Sequence, residues 1–467
     1  MVRNSSAPVA VLLRLIEAAP VEACEGLQDR SDLPAAVQEA MARHAVHRVR
    51  ATLAGHPRVE PRLRRLLLAD PEWQVAVRAF GSPGQPPLSD DELNDLLGRI
   101  VDPGYTWFSP EELWDELWTA MGYGGRLHRL AAVHPDPRVR RHAARSAGWI
   151  DASSRDALLA DPEPEIRAVA AAAVAEERRV LGPADLPAQH GHAYWAALQR
   201  PLSRAAVDQV LAGGDAASLS YLGPNPSTPP DVVEALLRHD HTDVRRRLAG
   251  RSGLTREQLL RLAADPEIEV RTAVSVHPGL TERDRAGIAI STAGGHYGSR
   301  RECRSDGHDF VDERVPPLDD ALRWADSVNP LLRRRAARHP ELPVRADDPD
   351  LGVRVLAALH NPGAPPSLVL RCYLEYDGCG RRRLSTLPQF PTDGLAAHAG
   401  HPDPAVRRLA ALDPHADPAL IDRLRADPDP AVRQAVAECP RLPAPRIVEL
   451  LDDPELAEHA AANPALP

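Results

Sequence analysis

One short segment recurs along this chain and constrains its fold more than any other feature. The segments ADPEIEVRTAVSVHP (264–278), ADPDPAVRQAVAECP (426–440), GHPDPAVRRLAALDP (400–414) and VHPDPRVRRHAARSA (133–147) share a proline-led start, a Val-Arg step and a run of small residues. Anchored on the aliphatic residue of the Val-Arg step, full or degenerate copies fall at 49, 75, 139, 166, 244, 270, 332, 353, 406, 432 and 456, with a faint copy near 219. Uninterrupted neighbours such as 49 and 75, 139 and 166, or 432 and 456 lie 24 to 27 residues apart. A period of this size marks a solenoid, in which each unit buries its apolar face on the next.

Each unit reads as two short helices. The first follows a turn, as in RSGLTREQLLRLA (251–263), where Thr255 and Gln258 have capping-box spacing. Leu259, Leu260 and Ala263 then fall on one face. The second begins at Asp-Pro, as in Asp161-Pro162, Asp265-Pro266, Asp427-Pro428 and Asp453-Pro454. There the aspartate is expected to cap the free amides, with proline at the first helical position. Val270, Ala273 and Val274 make the apolar stripe of the second helix. Helices this short need their neighbours to stand in water.

Composition narrows the chemistry. All 56 basic residues are arginine, and 66 acidic ones give a net charge of -10. The absence of lysine excludes a P-loop lysine, a kinase lysine and a pyridoxal Schiff base. An Arg-, Ala- and Pro-rich chain without lysine fits the coding bias of a G+C-rich bacterial genome. Cys24, Cys303, Cys372, Cys379 and Cys439 are scattered, which suits a reducing cytoplasm. The longest apolar run, Ala168–Ala175, is far short of the roughly 20 residues of a membrane span. Near the start, Arg14 and Glu17 interrupt the apolar stretch Ala7–Leu13, so it reads as an amphipathic helix and not a signal peptide.

The template Asp-Pro-x-x-x-Val-Arg-x-x-Val-Ala-x-x-Pro, followed by Leu-Pro or Leu-Thr, resembles the leucine-rich repeat variant, a family similar in style to the HEAT repeat. The resemblance spans most of residues 44–467 and is strongest at 228–280 and 396–467. It implies an all-α, curved, right-handed solenoid of about twelve units, used mainly as an interaction surface. The iron–sulfur cluster of that family's best-known member is not carried over, because Cys24 is the only cysteine before position 300. The expected organisation is capping helices at 1–43, first repeats at 44–81, an aromatic helical insertion at 82–128 and central repeats at 129–280, degenerate at 176–214. A Gly/Arg-rich insertion at 281–324 and C-terminal repeats at 325–467, with a loop insertion at 371–395, complete it.

Function in a solenoid usually sits in what departs from the repeat. In the first insertion Trp107, Trp114 and Trp118 share one helical face, with Tyr123 beyond. The face packs on the solenoid or forms an aromatic groove for a partner helix or peptide. Arg300 and Arg301 stand in a Gly-rich loop able to receive an acidic group. His190 and His192 diverge on a helix, which argues against a shared metal. Cys303, His308, Cys372 and Cys379 admit a zinc site, although their spacing misses the tight hairpin pattern.

The Val-Arg step also sets Arg140, Arg167, Arg245, Arg271, Arg333, Arg354, Arg407 and Arg433 at equivalent places, so that they form a row. Either each pairs with an aspartate, such as Asp161, Asp265 or Asp427, or a carbonyl of an adjacent unit, or the row binds phosphates. Arg433, for example, is expected to meet an aspartate near 427 or 453. Clusters Arg245–Arg247, Arg333–Arg335 and Arg381–Arg383 favour the phosphate option, and the net charge opposes it. The expectation is a non-enzymatic, cytoplasmic scaffold for a protein or peptide, with no cofactor and no membrane. The alternatives are a nucleic-acid-binding or repair protein of HEAT-like type and a metal-dependent regulator.

Overall fold

The computed structural model describes residues 4, 6–28, 30, 33–80, 88–100, 125–187, 191–292, 315–378 and 380–467. Among them the regular elements are all helical, and the one strand-like feature is an isolated bridge between Leu181 and Leu202. The α-helices run from four residues (Arg381–Leu384) to fifteen (Pro164–Arg178). No described helix is long and apolar enough to cross a membrane. The chain divides into two compact units, one of residues 1–177 with 392–467, the other of residues 178–391.

The repeat is visible in each unit as a leading and a trailing helix. In the second unit the leading helix Arg256–Ala263 starts at the reciprocal Thr255/Gln258 capping box and buries Leu259 and Leu262. Leu260 is 41% exposed, so the buried stripe runs i, i+3 and not through Leu260 as the sequence suggests. The trailing helix Ile268–Ser275 buries Val270 and Val274 completely. The same spacing recurs in the first unit, with Ile421 and Leu424 leading and Val432 and Val436 trailing. Small residues bring trailing helices close: a Cβ on Gly223 would lie 3.1 Å from the backbone of Leu248 in the next trailing helix.

Asp161, Asp265 and Asp427 do not cap their trailing helices. Those helices begin at Pro164, Ile268 and Pro430, three residues after Asp161, Asp265 and Asp427. Each of these aspartates instead accepts the N–H two residues on, at 2.9 Å, in a tight Asx turn. The cap is an aspartate placed directly before the helix: Asp136, Asp403 and Asp429 accept from the first turns of their helices. The carboxylates of Asp161, Asp265 and Asp427 are already committed to an arginine of the preceding repeat, described below.

A second set of side chains links the repeats at the opposite end of the trailing helix. His or Asn stands just before a proline and reaches back to a carbonyl one repeat earlier. His277 Nε2 lies 2.9 Å from the Arg251 carbonyl and His56 Nε2 2.8 Å from that of Arg30. His134, which stands ahead of its trailing helix in the place of the rung aspartates, makes the same kind of contact with the Asn94 carbonyl at 3.0 Å. Asn225 donates to Leu198 and Arg200, and Asn361 to Leu342. In each case the other side-chain heteroatom accepts the N–H two residues further on. That geometry uses the histidine as a neutral ring with its proton on Nε2, the shape of an asparagine amide.

In the first unit this ladder passes from the last residues to the first. Asn463 donates to Ala437 and Cys439, at 2.8 Å each. Asn4 in turn donates to Asn463, at 3.0 Å, and to Ala461. Arg30 continues the series to the Asn4 carbonyl, and His56 to that of Arg30. Residues before 44 therefore carry rungs of the stack. Because Asn fills the same place at 225, 361 and 463, His277→Asn should keep the urea midpoint of unfolding close to the parent. His277→Ala should lose about 1–3 kcal/mol, since it strands buried polar groups.

Candidate binding surface

The arginine row of the Val-Arg step lies between repeats. Arg245 Nε and Nη2 donate to both oxygens of Asp265, at 2.7 and 3.0 Å, while Nη1 takes the carbonyls of His239 and Asp240. Arg140 with Asp161, Arg333 with Asp348 and Arg407 with Asp427 repeat this fork. Arg50 with Asp70 does the same, a rung outside the sequence-derived row. Arg167, Arg271, Arg354 and Arg433 keep the carbonyl contacts five and six residues back. Arg354 then meets Glu375, Arg433 meets Glu455, and Arg271 meets the Ala289 carbonyl. Arg433 thus takes only the backbone of residue 427, whose carboxylate belongs to Arg407 one repeat earlier.

Burial alone would push the carboxyls of Asp161, Asp265 and Asp348 up. Arginine N–H bonds, the backbone amide and nearby positive charge outweigh it and hold all three below the usual carboxylate range. At Asp427 the Arg407 hydrogen bond is the leading cause of the same shift. Partner arginines 140, 245, 333 and 407 are raised, chiefly by the bonds to these aspartates.

The three arginine clusters are divided in the same way. Beside the buried Arg245, Arg246 pairs with Asp243, and Arg247 lies over the Tyr221 ring at 5.2 Å. Arg334 forks onto Asp350, and Arg335 sits over Trp324. Arg381 donates to the Tyr373 carbonyl and covers its ring. Trp195, Tyr221 and Arg247 are each 26 residues apart and stack in series, the two rings 4.9 Å apart. This aromatic row escaped the sequence reading, although the 26-residue interval was there to find it.

Trp107, Trp114, Trp118, Tyr123, Arg300 and Arg301 lie outside the described residues, as do Cys303, His308, Cys379 and His190. Cys372 is buried within the helix Pro366–Glu375, and burial pushes its thiol up to about 11, away from the thiolate a metal needs. Residues 371–395 contain the end of that helix and the turn Arg381–Leu384 as well as loop. Burial also holds His360 neutral, at about 4, with Arg383 and Arg338 adding to the shift.

A cavity of about 230 Å³ opens in the second unit among Leu322, Ala325, Ala336, Ala337, Leu342, Val353 and Ala357. It lies where one repeat is short. The stretch between the helices Pro330–Ala336 and Leu351–His360 contains no helix. Arg333 reaches its aspartate across 15 residues, whereas Arg245 needs 20. From Leu254 to Asp265 the chain spends eleven steps and forms a leading helix, while from Leu342 to Asp348 it spends six. The deletion removes the two buried aliphatics that a leading helix supplies, and the space they fill elsewhere remains.

No family model matches the chain, and no curated protein matches it. Among solved structures, the chain is similar to a crystal structure of an engineered protein, 14% identical, over 99% of this chain and 92% of that one, with a TM-score of 0.16.

The depressed rung aspartates give a direction to the acid response. Their contribution is present above the unfolded-state carboxyl value of about 3.9 and is lost as pH falls through the lower folded values. The melting temperature should therefore fall steeply below about pH 4. Asp265→Asn should lower stability at neutral pH and make the acid loss shallower. An acid slope equal to the parent's would remove that rung from the account.

Proposed function

We propose that the chain is a non-enzymatic scaffold of leucine-rich-repeat-variant or HEAT-like units that binds another protein or a peptide. The observation that carries this choice is the commitment of the arginine row. The guanidinium groups that would otherwise form a basic stripe are turned onto aspartates and carbonyls between repeats. A phosphate backbone would have to displace bidentate, desolvated partners to use them. The strongly shifted groups among the described residues are likewise rungs, caps or core side chains, which weakens a catalytic reading.

Apolar surface remains at the short repeat, where Leu322 on the cavity wall is 55% exposed and Leu318, one turn earlier on the same helix, 39%. Such a patch with an adjoining cavity suits recognition of a protein side chain. A cytoplasmic location is supported by free, buried thiols at Cys24, Cys372 and Cys439. Capture on the immobilised full chain, with and without nuclease, tests the scaffold reading. A protein partner should stay bound after nuclease and through 0.5 M salt, at roughly three times the ionic strength of the cell. Recovery of nucleic acid with a steep salt dependence, or loss of every partner on nuclease, would contradict it.

A further inference from the structure

The short repeat defines the shape of what it lacks. In complete repeats the leading helix inserts two aliphatic side chains three apart: Leu259 and Leu262, Ile421 and Leu424, Ile447 and Leu450. At residues 337–350 no helix does so, and the cavity is bounded by the two trailing helices, the preceding leading helix Leu318–Ala325 and the connection Leu342–Arg345. Its walls are mainly alanine and aliphatic. Of its charged members, Arg333 is held by Asp348, and Arg345 pairs with Asp326, which also lines it. At about 230 Å³ it exceeds the ~150 Å³ apolar cavity that suffices to hold a benzene-sized ligand.

We propose that this slot is the docking site for an amphipathic helix of the partner protein, which inserts two aliphatic residues at i and i+3 and completes the repeat in trans. The inference rests on the scaffold reading and names its partner chemistry. Charge at the mouth selects the helix further. Asp326, on the cavity wall, is 84% exposed even with Arg345 beside it, and Asp347, in the same short connection as Arg345, is 94% exposed. Between complete repeats, leading helices are tied by arginine on one and acid on the next, as in Arg204–Asp231, Arg256–Asp284 and Arg261–Glu234. The matching occupant carries arginine or lysine beside its two aliphatic residues, as Arg256 and Arg261 flank Leu259 and Leu262. Recognition of this kind is a helix laid into a groove and read at i and i+3.

The probe is a fluorescein-labelled peptide with the sequence of residues 253–266, titrated with the full chain and followed by anisotropy. Saturable binding is expected, weakened at least tenfold by Leu259→Asp with Leu262→Asp in the peptide. In the protein, Ala337→Phe fills the cavity and should weaken binding to the same extent. Leu322→Glu, at a position already half exposed, gives the same result without touching the core. Replacing residues 343–347 with TREQLLRLAA restores the leading helix in cis; it should raise the melting temperature and abolish peptide binding. The inference is overturned if no saturable binding occurs, or if binding ignores both Leu322→Glu and the altered leucines. It is also overturned if the cavity takes a small apolar dye that the peptide does not displace. If protein partners survive nuclease on the parent chain and on Leu322→Glu alike, this site is wrong and the scaffold reading stands. Nucleic-acid-dependent capture would remove the scaffold reading, whatever the peptide does.

Discussion

Arg245, buried between two repeats, forks onto a carboxylate of the next one, and much of this architecture follows from pairs of that kind. Arg245 and Asp265 are 10 and 7% exposed, and their fork is flanked by two backbone carbonyls that use the remaining arginine donors. A desolvated pair of this kind adds little net stability over an apolar pair, yet it is costly to mismatch. It therefore sets the register in which one repeat meets the next. The core it aligns is made of small aliphatic residues, which pack in many registers with similar energy. Polar rungs at one end of the trailing helix and His/Asn rungs at the other remove that ambiguity.

Much of this was legible in the sequence because a repeat multiplies weak signals. One Val-Arg step means little, whereas eight in phase with Asp-Pro point to a pairing between units. The direction of the pairing was not legible. Arg433 was matched to aspartates on either side, but the arginine faces the next repeat's aspartate, so Asp427 serves Arg407. Asp265 does not cap because its helix begins only at Ile268, three residues on; its carboxylate closes the fork and an Asx turn instead. The His/Asn ladder was hidden because the two residue types look unrelated by composition. Only their shared ability to donate from one atom and accept at another makes them equivalent.

The short repeat shows where regularity ends and recognition can begin. The interval between the anchors at 332 and 353 is 21 residues, and in sequence that reads as ordinary degeneracy. In three dimensions it removes one helix while the rung at Arg333 and Asp348 survives. The stack therefore continues past a gap that its neighbours cannot close, and apolar side chains are left facing it. Both rows with the strongest sequence signal are structural, and the opening lies in a segment with almost none.

A double-mutant cycle on Arg245 and Asp265, measured by equilibrium unfolding at neutral pH, tests the central claim most directly. Arg245→Ala and Asp265→Ala should each cost about 3–5 kcal/mol, because each leaves a buried charge alone. The double variant should cost clearly less than their sum, with a coupling of roughly 1–3 kcal/mol. Additive losses near zero would mean that the arginine row is solvated and free, and would favour a phosphate-binding role for it.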